Sequence, residues 1–285
     1  MTSNKKQVFT AITTTVLCVM CGCGGNAKAS SGGAMATDSV VCALQSGDSI
    51  ECKITADYPT SDDSLSLLVT AYINGELGRL YLPANCGGDT ATYRLYTGTP
   101  KATGDVAAYY ANGTLRFLKE QATEMRQNGM EEKPQLACET AVRKTADNSR
   151  YISYRTTSYS FMSGAHGSYT DYTVNISKAS CRVLTQTIDT TRIKQIQPLL
   201  RQGVIDYLHA QGETEADDAS LNDMLFVDNG IIPIPAHTPY LADDGVHFMY
   251  QQYEIGPYAM GLIEFTVPYD KARPYLTSQA LALIK

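Results

Sequence analysis

The stretch that decides the fold runs from residue 136 to residue 184. It reads LACETAVRKTADNSRYISYRTTSYSFMSGAHGSYTDYTVNISKASCRVL. Apolar and polar residues alternate along it, and Tyr, Thr, Val and Ile are frequent, which is typical of strands that bury one face. Gly164 and Gly167 permit backbone conformations that a tight turn between strands needs. The stretch therefore predicts three or four antiparallel strands.

Helical periodicity and further β-rich segments flank this stretch on both sides. Helices are predicted from Asp62 or Asp63 to Leu80, at Asp105–Gln127, at Thr190–Ala210 and from Asp270 to Ile284. Strands are predicted at Ser39–Gln45, Ile50–Tyr58, Ile231–Pro235, Val246–Glu254 and Leu262–Pro268. Strands and helices do not alternate regularly, so the pattern favours an α+β fold with antiparallel sheets and packed helices. We expect two sub-regions, an N-terminal region at 38–135 and a C-terminal domain at 136–285.

The first residues have the pattern of an export signal. Lys5 and Lys6 precede a short apolar run, Val8–Met20, which is too short to span a membrane as a helix. Met20-Cys21-Gly22-Cys23 resembles a lipobox, which predicts a signal peptide at 1–22, lipidation of Cys23 and a flexible tether at 23–37. The protein would then be a lipoprotein of the cell envelope, in the periplasm or anchored to the outer membrane. Cleavage at Ala27-Lys28-Ala29 is the alternative and would give a secreted protein.

Composition and charge restrict the possible partners. The formal charge is −6, and loss of Lys5 and Lys6 with the signal peptide leaves −8. Nucleic-acid binding needs a clustered excess of Lys and Arg, so it is not expected. An acidic protein associates faster with a cationic partner.

Export places the cysteines in an environment where disulfides persist. Five cysteines follow Cys23, namely Cys42, Cys52, Cys86, Cys138 and Cys181, and none of them has C-x-x-C spacing. With a three-residue loop at Ser46–Asp48, Cys42 would lie opposite Cys52 in a hairpin. We therefore predict a Cys42–Cys52 disulfide, while the pairing of the other three stays open.

Two segments carry a resemblance to a known family. One is Tyr159-Ser160-Phe161-Met162-Ser163-Gly164-Ala165-His166-Gly167-Ser168-Tyr169. The other is Asp243-Asp244-Gly245-Val246-His247-Phe248, running on to Tyr253-Glu254-Ile255-Gly256-Pro257-Tyr258-Ala259-Met260-Gly261. Together they resemble a bacterial family of envelope domains of unknown function (type 3298), whose members include the ectodomain of lysozyme-sensing anti-sigma factors and the accessory region of some peptidoglycan deacetylases. Ser163 stands where the family more often has Gly.

The resemblance implies an envelope domain that recognises peptidoglycan or a wall-acting protein such as lysozyme, without catalysis. The candidate ligand-binding residues are His166, Gly164, Gly167, Tyr253, Glu254 and Tyr258. Each also has a structural interpretation, because glycines shape turns and a buried Glu254 would need a partner such as His166 or an Arg.

Two further functions stay open. A cell-wall hydrolase or deacetylase-like enzyme could pair His166 with Glu254, Asp243 or Asp244 as general base and orienting acid, and a structural envelope scaffold would need no ligand. The histidines lack the paired spacing of a metal-dependent hydrolase, and no serine-hydrolase or zinc-protease motif occurs. The sequence thus predicts no metal, no cofactor and no catalytic residue.

Overall fold

The structure is a computed structural model that describes residues 16–21, 34–47 and 49–284. The lipidation candidate Cys23 and most of the predicted tether lie outside the described residues. Thr37, predicted as the last residue of the tether, begins a strand instead. No helix among the described residues combines the length and the apolar character needed to cross a membrane.

Seven strands form one sheet in their order along the chain, and the first of them lies within the predicted signal peptide at 1–22. They are β1 Val16–Cys21, β2 Thr37–Ser46, β3 Ile50–Pro59, β4 Leu136–Asp147, β5 Tyr151–Met162, β6 Ser168–Ser177 and β7 Arg182–Val183. Every neighbouring pair is antiparallel except β3 and β4, which run parallel. A parallel pair requires a long crossover connection, and the helices between the two strands supply it.

That crossover contains three helices, α1 Ser64–Arg79, α2 Leu82–Asn85 and α3 Thr103–Gln127. Asp63 begins α1 because its side chain accepts a hydrogen bond from the backbone N–H of Ser66, as a capping residue does. The buried faces of α1 and α3 cover β2, β3 and β4 and form the first core of the protein. Helix α3 continues through Asn112-Gly113, and the absence of a side chain at Gly113 leaves room for the Tyr81 ring.

A second layer follows β7. It contains α4 Ile193–Ala210, α5 Leu221–Met224, β8 Tyr240–Leu241, β9 Val246–Tyr250, β10 Ile263–Val267, α6 Tyr269–Ala272 and α7 Ser278–Ile284. The three strands form an antiparallel sheet in the order β10-β9-β8. Helix α4 packs on β10, where Gly203 lies against the Phe265 ring. The α+β prediction is confirmed, with mostly antiparallel strands in two sheets.

The two hydrophobic cores do not follow the predicted boundary at residue 135. Strands β4–β6 complete the sheet that β2 and β3 begin, so the first core extends from Val40 to Ile176. The second core is built almost wholly from residues 184–283. The first core therefore spans the predicted boundary, because the parallel β3–β4 pair joins the predicted N-terminal region to the following strands.

The hairpin register contradicts the predicted disulfide. Gly47 has a φ of 63° and begins the turn, so Ser46 remains in β2 and pairs with Ile50. Cys42 therefore lies opposite Ile54, and Cys52 lies opposite Leu44. Diagonal neighbours on one face are about 7–8 Å apart, which exceeds the Cα separation that a disulfide spans. The prediction placed the turn one residue too early, and the Cys42–Cys52 pairing was wrong for that reason.

Three predicted elements near the C-terminus also differ from the structure. Residues 231–235 are extended without forming a strand, and β9 ends at Tyr250 rather than at Glu254. The last predicted helix is divided into α6 and α7 by Leu276, which is extended and bridges to Ile188. Asp270 lies in the first turn of α6 and does not cap it.

Candidate functional site

The two segments that carry the resemblance lie against each other. One is the loop between β5 and β6, and the other is the turn between β9 and β10. The Tyr258 hydroxyl donates a hydrogen bond of 3.0 Å to the Gly167 carbonyl. The His166 ring stacks on the Tyr258 ring with 3.9 Å between centroids and 24° between planes. Residues about 90 positions apart thus form one surface.

Four rings make up this surface, which we call the aromatic surface: Tyr159, His166, Tyr253 and Tyr258. Tyr253 is 58% exposed and Tyr159 is 38% exposed, while His166 is exposed and Tyr258 is half-buried. The rings of Tyr253 and Tyr258 are 5.6 Å apart at 44°. The Tyr159 ring lies over Gly167, at the position that a side chain would occupy.

The backbone of both segments adopts conformations that few side chains tolerate. Gly164 has a φ of 112°, Ser163 a φ of 59° and Tyr253 a φ of 66°. The left-handed region favours glycine, so Ser163 and Tyr253 are held in strained backbone conformations. The Ser163 hydroxyl compensates locally, since it contacts both the backbone N–H and the carbonyl of Gln135 at 3.2 Å.

Side-chain amides hold the second segment along β6. Gln251 accepts a hydrogen bond from the Asp171 N–H at 3.0 Å and donates to the Asp171 carbonyl at 2.7 Å. Gln252 accepts from the Tyr169 N–H at 3.3 Å. These bonds fix the aromatic surface at the junction of the two sheets.

A groove of about 340 Å³ adjoins the aromatic surface at Tyr159. Its polar lining consists of Gln45, Ser49, Glu51 and Gln135. Gln135 also holds Ser163, so the groove and the β5–β6 loop share a residue. The volume lies at the lower end of the range of small-ligand sites.

Glu254 does not contact His166 in the structure. Its two carboxylate oxygens accept hydrogen bonds from the backbone N–H groups of Ala236 at 2.6 Å and Gln251 at 2.7 Å. Glu254 lies in a turn rather than in a strand, so the predicted alternation of Tyr253 and Glu254 across a sheet does not apply. Glu254 therefore positions the segment that carries Tyr253 and Tyr258.

Asp244, another of the acids considered for His166, pairs with a different histidine. The His247 ring lies 2.8 Å from the Asp244 carboxylate, 3.5 Å from that of Glu264 and 3.2 Å from the Tyr240 hydroxyl. Burial disfavours the charged ring, but the bonds to Glu264 and Asp244 outweigh it and raise the pKa of His247. The same contacts lower the pKa of Glu264 and of Asp244. Sequence reasoning missed this cluster because it depends on the register of β9 with β10.

A second cluster joins α1 and β6 to the segment before β8. The Tyr172 hydroxyl bonds to Glu76 and to Arg79, and the His237 ring stacks on Tyr172 at 3.9 Å and 4°. Burial and the nearby Arg79 lower the pKa of His237. The His237 ring is thus removed from solvent by its stacking on Tyr172. Through these contacts the cluster connects α1, β6 and the segment before β8.

No group of three or more His, Cys, Asp or Glu side chains suitable for a metal ion is present in the part of the chain that the structure describes. The clusters around His247 and Tyr172 are paired internally.

A comparison with models of known protein families identifies one family that matches part of the chain. Residues 187–270 match the model of a family described as a protein of unknown function, DUF3298. The Tyr253–Gly261 segment lies inside that range and Gly164–Gly167 lies outside it. The predicted family resemblance is confirmed for this part of the chain. A search of curated proteins finds no match.

Solved structures extend the likeness to the fold of almost the whole chain. A DUF3298 family member from Bacteroides fragilis is 20% identical, with a TM-score of 0.59 over 89% of this chain and 98% of that one. A DUF3298 family protein from Pseudomonas aeruginosa is 14% identical, with a TM-score of 0.51 over 95% of this chain and 97% of that one. Both likenesses concern the fold.

Proposed function

The chain carries a DUF3298 domain at residues 187–270, and from that premise we propose that it is an exported, lipid-anchored envelope protein that binds peptidoglycan without turning it over. The observation that carries the proposal is the aromatic surface beside a polar groove. The lipid on Cys23 would hold this surface next to the cell wall.

The chemistry of the surface suits a glycan. A sugar ring presents apolar C–H faces and a rim of hydroxyl groups. Tyr rings offer large apolar faces with polar tips, and Tyr253 and His166 present theirs to solvent. Gln45, Glu51 and Gln135 line the adjoining groove with donors and acceptors for hydroxyl groups. A glycan chain lying from Tyr253 past Tyr258 toward Tyr159 would meet both kinds of group.

The contacts of His166 favour binding over catalysis. Its Nδ1 lies 3.1 Å from the Gly167 carbonyl, and its ring stacks on Tyr258. A general base needs an orienting acid in hydrogen-bond reach, and Glu254 and Asp244 are engaged elsewhere. The His166 ring instead adds to the aromatic surface through its stacking on Tyr258.

The experiment is calorimetric titration of the full chain with soluble muropeptides. We expect saturable heat, and Tyr253→Ala or His166→Ala should weaken binding by about 3- to 10-fold, since an aromatic contact contributes roughly 0.5–1.5 kcal/mol. Tyr109→Ala is the matched control, because Tyr109 is likewise an exposed tyrosine, at 38%, but lies on α3 outside the aromatic surface. Equal loss in the control, or no heat at all, would remove the proposal. Release of cleaved or deacetylated product, abolished by His166→Ala, would favour the enzyme instead.

A second candidate ligand is a cationic wall-acting protein such as lysozyme, and the acidic net charge favours it. The formal charge of −8 after removal of the signal peptide would speed association with a basic protein. The association rate should then fall steeply with salt. A rate that is insensitive to salt, or no complex with lysozyme, would exclude this partner while leaving the glycan proposal intact.

A further inference from the structure

Two cysteines from distant parts of the chain are register partners in the parallel strand pair. Cys52 of β3 lies beside Cys138 of β4. Neighbouring strands are about 4.7–4.9 Å apart, which lies inside the range of about 4.4–6.8 Å that disulfides span between Cα atoms. The Cys42–Cys52 diagonal does not meet this condition.

The two side chains share one buried environment beneath the helices. Cys52 is 1% exposed and Cys138 is 6% exposed. Both line a small cavity together with Leu77, Tyr81 and Thr114. Both are free thiols in the structure. Interaction with the neighbouring Cys138, together with burial, raises the pKa of Cys52, and interaction with Cys52 lowers the pKa of Cys138.

We infer that Cys52 and Cys138 form a structural disulfide when the chain folds in an oxidising compartment. Formation in the cell rests on the export proposed above, whereas the geometry of the pair does not. The co-reactant is the disulfide of a thiol oxidoreductase, or oxidised glutathione in vitro.

The exchange proceeds in two steps. The thiolate of one of the two cysteines attacks one sulfur of the oxidant, forms a mixed disulfide and expels a thiolate. The thiolate of the other cysteine then attacks the protein sulfur of the mixed disulfide and expels the second thiolate. Two protein thiols lose two protons and two electrons, and the oxidant disulfide is reduced to two thiols.

Because both thiols are buried in the folded protein, we expect the disulfide to form before folding is complete. A thiol that is 6% exposed gives an oxidant little access, so the exchange belongs to the stage of folding before α1 and α3 close over the sheet. The finished bond fixes the parallel pair and closes a loop that contains all three crossover helices. It also leaves Cys86, on the exposed end of α2, as a thiol that an oxidant reaches after folding.

The test uses the full chain, unfolded under reducing conditions and refolded in a glutathione redox buffer. Cleavage after Glu51 and Glu76 releases residues 52–76, and cleavage after Glu132 and Glu139 releases residues 133–139. The first peptide contains Cys52 but not Cys42, and the second contains Cys138 but not Cys86. Non-reducing mass spectrometry should find the two peptides joined, with a mass that is two hydrogen atoms below the sum of the two reduced peptides. Cys86→Ser and Cys181→Ser should leave this linkage unchanged.

The same samples give a second readout. Reduction should lower the melting temperature of the wild type by several degrees and leave that of Cys52→Ala nearly unchanged. Refolded wild type in which Cys52 and Cys138 are both alkylated, or in which Cys52 is joined to Cys42, would overturn the inference. Titration of the oxidised sample with muropeptides reports on ligand binding separately, so the two proposals can fail independently.

Discussion

Two glycines in the loop of the aromatic surface are required for different physical reasons. Gly164 has a φ of 112° and open space around it, so an alanine there strains the backbone without touching a ring. Gly167 lacks a positive φ, but the Tyr159 ring occupies the place of a side chain. An alanine at Gly167 must therefore displace the ring.

We expect Gly167→Ala to weaken muropeptide binding by about 3- to 10-fold, which corresponds to roughly 1 kcal/mol, while the free energy of unfolding changes little. Gly164→Ala should do the reverse and cost about 1–2 kcal/mol of stability through backbone strain. Denaturant unfolding and calorimetry on the two variants separate these effects. Identical profiles for both variants would contradict the assignment.

His247 links stability to pH through its two acidic neighbours. Its pKa is raised in the folded protein above the ordinary value of 6.5, so the stabilisation is complete below 6.5 and is lost as the pH rises through the raised pKa. The lowered pKa of Glu264 acts in the opposite direction, and its contribution is lost on acidification below its ordinary value of 4.5. We expect wild-type stability to fall between mildly acidic and mildly alkaline pH.

Urea unfolding at a series of pH values measures this dependence, and His247→Gln should flatten it in the neutral range. His166→Gln is the matched control, because His166 is exposed and has no acidic neighbour among its contacts. A His166→Gln variant that flattens the profile as much as His247→Gln would contradict the role of the cluster.

At the scale of elements, side-chain amides replace a strand partner at three places. Gln197 donates to the Ile232 carbonyl and accepts from the Ile232 N–H, both at 2.9 Å. Asn175 binds the backbone of Leu241 in the same way, at 2.9 and 2.7 Å, and Gln251 binds Asp171. Each amide satisfies the backbone groups that a ladder would otherwise satisfy.

Gln197→Leu should therefore destabilise the second layer by about 2–4 kcal/mol, because it leaves the buried backbone groups of Ile232 without partners. Gln195→Leu is the matched control on the same helix, since Gln195 is exposed and should change stability by less than about 0.5 kcal/mol. Chemical unfolding of both variants gives the comparison. Equal stability of the two would show that the Gln197 bonds contribute little.

Elements with local sequence signals were predicted more accurately than elements that depend on distant side chains. The bounds of α1, α3 and α4 were predicted to within three residues, because their apolar spacing and the capping Asp63 are local signals. Residues 231–235 resemble a strand in composition, yet their partner is a Gln on a helix. The grouping of Gly164–Gly167 with Tyr253–Tyr258 as candidate ligand-binding residues followed from the family resemblance. The contacts of Glu254 and the His247 cluster depend on turns and register, which the sequence does not show.

At the scale of the whole molecule, the first sheet joins the predicted N-terminal region to the strands of the predicted C-terminal domain. Removing residues before 136 would strip β4 of its partner β3 and uncover a core face that α1 and α3 bury. We expect a fragment of residues 136–285 to lack a cooperative unfolding transition, whereas residues 34–285 should unfold in one. Calorimetric scans and amide NMR dispersion of both fragments test this. A well-dispersed, cooperatively melting 136–285 fragment would restore the boundary at residue 135.

The parallel pairing of β3 with β4 has a consequence for the order of folding. The β2–β3 hairpin and the β4–β5–β6 meander each form from near neighbours in the chain, but their junction waits for the segment between Pro59 and Leu136 to fold. Contacts between distant residues slow folding. Until they form, both half-sheets expose unpaired edges of the kind that nucleate aggregates. A nascent chain emerging N-terminus first would hold an open β3 edge until at least 76 further residues had followed, so chaperone protection of that edge would govern its yield.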